Sequence, residues 1–259
     1  MPKMLNNNDD MNVHQIPSTV GTFQFSAVRP EKLGASCYTL ATIAVDRSRS
    51  TKDFAQALLA ALKASVGACM KNPMSKNILL RVLSFNEELV EIHGFKLLKD
   101  IDLDNDYLDF NPKGMTSLRD AYFSGIGATL TLAEDLSIKQ HYDVNGIFFV
   151  ITDGMDNQSR ISNKQISTLV ENSLKQEDLI ESLDTVLIEL KDPKATDDYA
   201  LEVTKALEKF KKEVGITKFI NVGDANPTNL AKLGQFISES LSSTSSSIVT
   251  GQPSQPVVF

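Results

Sequence analysis

The chain of 259 residues has no tryptophan, two cysteines and three histidines. Cys37 falls in a strand-like run and Cys69 in a helical pattern, so no disulfide framework is at hand and both are expected as buried free thiols. A reducing compartment fits them. His14, His93 and His141 are scattered, which removes an imidazole-based metal site and disfavours zinc. Positive charge is also short: 26 Lys and Arg against 33 Asp and Glu leave a formal charge of −7. A binder of the phosphate backbone concentrates the opposite sign, so nucleic acid is not an expected partner. Nowhere do eighteen apolar residues run together, and "MPKMLNNNDDMNVHQ" lacks the basic flank and apolar core of a signal peptide. The expectation is a soluble, cytoplasmic protein with no membrane partner.

What is present is a hydrophobic fraction of 42%, enough for one large core. Apolar, β-rich runs at Tyr38–Val45, Asn77–Phe85, Leu89–Phe95, Gly146–Thr152, Asp184–Leu190 and Thr217–Val222 alternate with helical patterns. That alternation predicts an α/β fold, a doubly wound and mostly parallel sheet. Only Asn86, Glu87 and Glu88 separate the second and third runs, too few for a parallel crossover, so those two form an antiparallel hairpin and the third run is an antiparallel edge strand. Helices are expected at Thr51–Lys71, Leu118–Leu136, Asn163–Ser173, Asp197–Val214 and Pro227–Leu241, the last opened by Asn226 as cap and Pro227 at the first helical position. Residues 1–30 read as an irregular extension, 31–241 as the domain, and 242–259 as a flexible Ser/Pro-rich tail.

The stretch "AVDRSRSTKDF" ends an apolar strand on Asp46 and continues with Ser48 and Ser50, which an extended turn points the same way. Ligands of open α/β sheets gather at that end of the strands. One carboxylate and two hydroxyls are hard oxygen donors, suited to Mg²⁺ or Mn²⁺. Taken alone the stretch also reads as a turn and helix cap, since Ser50 and Asp53 have capping-box spacing and Ser117 and Asp120 repeat it. Two further elements join it: "GMTSLRDA" places Thr116 at the opening of a helix, and "FVITDGMDN" places Asp153 at the end of another apolar strand.

Asp46, Ser48 and Ser50, then Thr116, then Asp153 together resemble the metal-ion-dependent adhesion site of von Willebrand factor A domains, over roughly residues 38–241. More loosely, the chain resembles intracellular bacterial and phage members, including the tellurium-resistance-associated type. The resemblance implies a Mg²⁺ at the top of the sheet, held by Asp46, Ser48 and Ser50 directly or through water, by Thr116 in the engaged state, and by Asp153 through water. It also implies that a protein partner's Asp or Glu completes the coordination, in a setting such as an AAA+ ATPase complex or a stress- or phage-related assembly. Neutral hydroxyls leave such a cation electrophilic, which attracts a carboxylate. Many relatives carry small residues where this chain has Arg47 and Arg49; their alternatives are an aid to anionic ligands, a crowding of the metal, or two solvated charges at a rim. In adhesion-type relatives the last helix shifts with the metal loops, so Pro227–Leu241 is a candidate switch.

Other features carry less. The carboxylates of "DIDLDNDYLDFNP" miss a calcium loop, because counting from Asp102 puts Tyr107 where the glycine belongs and Lys113 where the last acid belongs. A solvated loop is expected. Gly125 and Gly127 lie inside a helical pattern and read as close packing. Val257, Val258 and Phe259 end the tail as an apolar cluster that reads either as an idle end or as a tether added to another subunit. An enzyme is not expected: a Mg²⁺-dependent phosphohydrolase needs a nucleophile and a general acid, and the second aspartate of haloacid-dehalogenase-like sites is Ser48 here.

Overall fold

The structure is a computed structural model that describes residues 3–4, 10–108, 110–176, 179–255 and 257–259. Its strands are β1 (Lys3–Met4), β2 (Met11–Ser18), β3 (Gly21–Val28), β4 (Cys37–Asp46), β5 (Ile78–Phe85), β6 (Leu89–Leu97), β7 (Asp143–Thr152), β8 (Leu183–Lys191) and β9 (Lys218–Asp224). The helices are α1 (Ala55–Met70), α2 (Leu118–Glu134), α3 (Asn163–Leu174), α4 (Asp197–Val214) and α5 (Pro227–Thr250). The sheet runs in the order β2-β3-β6-β5-β4-β7-β8-β9, with β1 beside β6. From β5 through β4 and β7 to β9 every pairing is parallel. This is the doubly wound α/β architecture expected from the sequence and from the von Willebrand factor A resemblance.

Helices α2, α3 and α4 cover one face and α1 and α5 the other, each with its own apolar layer. Residues that share a strand alternate between the two layers: Leu40 and Ala44 enter the first, Ala41, Ile43 and Val45 the second. The predicted stripes are buried, Leu58, Leu62 and Cys69 of α1 on one side and Tyr122, Ile126 and Leu130 of α2 on the other. Gly125 lets α2 approach the sheet, since a Cβ there would overlap the ring of Phe148. Both cysteines are buried free thiols.

Three expectations need correction. Strand β6 is antiparallel to β5, as the short connection required, but it is not the margin of the sheet, because β1 and β3 pair with its far side. The N-terminal segment is not irregular where it is described. Strands β2 and β3 form a hairpin whose Ile16, Phe23, Phe25 and Ala27 enter the core; the expectation for residues 1–2 and 5–9 lies outside the described residues. A buried ion pair joins this hairpin to the sheet: Arg81 Nε donates to Glu91 Oε2 at 2.7 Å, and Glu91 Oε1 accepts from Ser26 N at 2.9 Å and Ser26 Oγ at 2.6 Å.

The third correction concerns the tail. Helix α5 runs on through the serines to Thr250 and stops at Gly251, whose φ of 66° is the left-handed cap. Serine is a weak helix former, and here tertiary bonds outweigh propensity: Asn145 Nδ2 donates to Thr244 O at 2.8 Å and Asn72 Nδ2 to Ser242 Oγ at 2.7 Å. Beyond Gly251 the chain folds back on its own domain. Ser243 Oγ donates to Gln255 O at 2.9 Å, Val257 packs against the α5 layer, and the Phe259 ring stands 5.9 Å from that of Phe236.

Candidate metal centre

Asp46 closes β4 and Asp153 follows β7, two adjacent parallel strands, so the sheet itself brings both carboxylates to one end. After Asp46 the backbone turns, and Ser48 N donates to Asp46 Oδ1 at 2.7 Å. The turn aligns the hydroxyls: Ser48 Oγ lies 3.0 Å from Ser50 Oγ, and Ser50 Oγ donates to Asp153 Oδ1 at 3.0 Å. Thr116 comes from the loop before α2, its Oγ1 4.0 Å from where a Cβ on Gly154, the residue after Asp153, would stand. Asp46, Ser48, Thr116 and Asp153 are buried and Ser50 is exposed, so the group opens outward at Ser50. The sequence-predicted residues therefore converge.

The capping reading is not what these side chains do. Ser50 bonds to Asp153 and Ser48, α1 begins without a side-chain cap, and Asp53 pairs with Lys194. Nor does Asp120 cap its own helix. Its Oδ1 accepts from Arg160 N at 3.0 Å and Ile161 N at 2.9 Å, which fixes the loop after Asp153.

Sequence reasoning missed two positioning residues. Thr152 donates to Asp46 Oδ2 at 2.6 Å and so orients that carboxylate; its only mark in the sequence is a hydroxyl beside Asp153. Asn157 Oδ1 accepts from Thr116 N at 2.8 Å while Asn157 N donates to Thr116 O at 3.0 Å, a two-way clamp that "TDGMDN" does not announce. The Thr116 loop is also sewn to the Asp46 turn: Lys113 N donates to Arg47 O at 3.0 Å and Arg49 N to Gly114 O at 3.1 Å. Gly114 takes φ 72° in this crossing, and a side chain there would strike the Glu87 carboxylate.

Electrostatically the site is a buried acid pair, which the charge of Arg47 offsets only in part. Burial pushes the Asp46 carboxyl up to about 6, against the hydrogen bonds from Thr152 and Ser48. Burial and then the charge of Asp46 push Asp153 up to about 7. Asp153 Oδ2 is buried with no hydrogen-bond partner among the described residues. A carboxylate oxygen without a donor is costly in such a place, and a cation supplies what the protein leaves out. The donor set is hard oxygen throughout, which fits Mg²⁺ or Mn²⁺. Among the described residues no three Asp, Glu, His or Cys side chains group to hold a metal, so any cation here depends on the hydroxyls as well.

The two arginines differ. Arg49 is exposed, as a rim charge should be, whereas Arg47 is buried, with Glu88, Asp46 and Glu87 opposing the drop that burial imposes on its guanidinium. The acidic stretch after β6 is spent internally: Lys96 Nζ meets the buried Asp106 at 2.9 Å, and Asp102 accepts from Asp104 N and Asn105 N at 3.0 and 3.1 Å. Only part of that loop is solvated, and Asp109 lies outside the described residues. Among the described residues no helix is long and apolar enough to cross a membrane.

No protein-family model matches the chain, and no curated protein matches its sequence. Solved structures match its fold. The PilB minor pilin from Streptococcus sanguinis superposes over 95% of this chain and 78% of its own, with TM-score 0.56 and 12% identity. Its D319A mutant gives TM-score 0.57 at 11% identity, over 96% of this chain and 82% of that one. The pilus adhesin SpaC from Lactobacillus rhamnosus GG gives TM-score 0.54 at 7% identity, over 92% of this chain and 35% of that one. At these identities the likeness is one of fold.

Proposed function

We propose that the chain is a metal-dependent protein-binding module. Asp46, Ser48, Ser50, Thr116 and Asp153 hold one Mg²⁺ or Mn²⁺, and a carboxylate of a partner protein completes its coordination. The observation that carries this reading is the buried Asp153 Oδ2 without a donor, set against Asp46 and the paired serine hydroxyls. When bound, the cation supplies an electrophilic site for an incoming Asp or Glu. The chain's own residues do the rest. Thr152 and the Ser48 amide hold the Asp46 carboxylate, and Asn157 holds the Thr116 loop. The clamps between the loops leave the donors prearranged, so little ordering is needed on binding.

The setting we propose is cytoplasmic, in a multi-protein assembly such as one with an AAA+ ATPase; two buried thiols without a disulfide support it. No catalytic role is proposed, since Ser48 stands where a haloacid-dehalogenase-like phosphohydrolase needs its second aspartate. Capture of partners on immobilised chain tests the reading. Binding should vanish with a chelator, return with Mg²⁺, and be absent from Ser48→Ala. Equal capture with and without the chelator would refute it.

A further inference from the structure

At the far end of the sheet from the metal cluster, a cavity of about 830 Å³ opens where β4 and β7 begin. Lys32, Lys76 and Lys99 stand around it, and Asp143 is the carboxylate of its wall. Lys32 shares its charge with Asp10 at 3.3 Å, whereas Lys76 and Lys99 make no ion pair among the described residues. In a chain whose formal charge is −7, this concentration of ammonium groups is local and contrary to the whole.

The loop beside the cavity is held from within. Tyr38 is fully buried, and its hydroxyl oxygen accepts from Gly34 N at 2.9 Å and Ala35 N at 2.8 Å. Gly34 and Ala35 line the cavity, and these two bonds hold their loop against the buried ring. Leu97, Ile248 and Val249 add apolar surface, the last two from the final turns of α5.

We propose that this cavity binds a small molecule bearing two or more anionic oxygen groups, phosphate or carboxylate. Lys76 and Lys99 balance its charge. The site is separate from the metal cluster and does not depend on it. Because Ile248 and Val249 form part of the wall, an occupant also braces the end of α5.

Inorganic pyrophosphate and citrate, titrated separately into the metal-free full chain by calorimetry and thermal shift, provide the test. The expected result is saturable binding of at least one probe with a raised melting temperature. Pyrophosphate alone would assign phosphate, citrate alone carboxylate, and both the shared chemistry. Lys76 and Lys99 are exposed, so K76Q/K99Q should fold as the parent does and weaken binding by about tenfold or more. Absence of saturable binding by either probe, or equal affinity in K76Q/K99Q, would overturn the proposal.

Discussion

At Asp46 and Asp153 burial works against two carboxylates at once, and pH dependence follows from the sign of that effect. Their folded pKa values, about 6 and about 7, lie above the ordinary 3.8. Between those limits the folded chain holds protons that the unfolded chain has released, so the metal-free protein loses stability as pH rises through the window. On the proposed function, a divalent cation replaces the protons. Mg²⁺ should therefore raise the melting temperature more at about pH 7.5 than at about pH 5.5; an equal rise at both would speak against the pair. His93 has the opposite sign. Burial lowers it to about 4, and its ring is enclosed by the Gly94 carbonyl and the Tyr107 hydroxyl, each at 2.9 Å. Its share of stability is complete above the ordinary 6.5 and is lost as pH falls toward 4. An NMR titration of the His93 ring in the folded chain separates the two effects, with an expected midpoint near 4 rather than 6.5. At this scale Asp46, Ser48, Ser50, Thr116 and Asp153 were legible because their spacing and strand-end positions are local. Thr152 and Asn157 were not, because a hydroxyl or an amide that orients another residue leaves no pattern of its own.

Among the elements, the N-terminal hairpin and α5 were read least well, for related reasons. Phe23, Phe25 and Ala27 alternate with polar residues as a half-buried strand should, but their burial depends on α2 and β6, far along the chain. The Arg81–Glu91 pair makes that docking testable. Glu91→Ala leaves Arg81 buried without a counter-charge and should cost about 3–5 kcal/mol, read by urea unfolding, with amide exchange rising first over residues 11–28. The apolar half of α5 was legible from Leu230, Leu233, Ile237 and Leu241, all buried. Its serine half was not, because Asn72 and Asn145 hold it from elsewhere in the chain. Deleting residues 252–259 removes Val257 and Phe259 from this helix and should cost about 1–3 kcal/mol, with faster exchange confined to residues 242–250. Leu233→Ala should cost roughly 2–5 kcal/mol while leaving Mn²⁺ uptake by the folded variant unchanged, since backbone bonds from Arg47, Arg49 and Asn157 hold the metal loops without α5.

For the molecule as a whole, the six apolar runs read from the sequence all became strands of one sheet, because runs buried on both faces leave little room for another structure. The topology then did what single residues could not, setting the ends of β4 and β7 side by side and bringing Asp46 and Asp153 together across 107 positions of sequence. The fold is shared with pilus proteins at 12% identity or less, so the chemistry must be argued from the cluster itself. The most direct measurement is calorimetric titration of Mn²⁺ into the chelator-stripped chain, wild type beside Asp46→Ala and Asp153→Asn. One saturable site is expected in the wild type, lost in Asp46→Ala and weakened by about tenfold or more in Asp153→Asn. Identical uptake by all three folded proteins would contradict it.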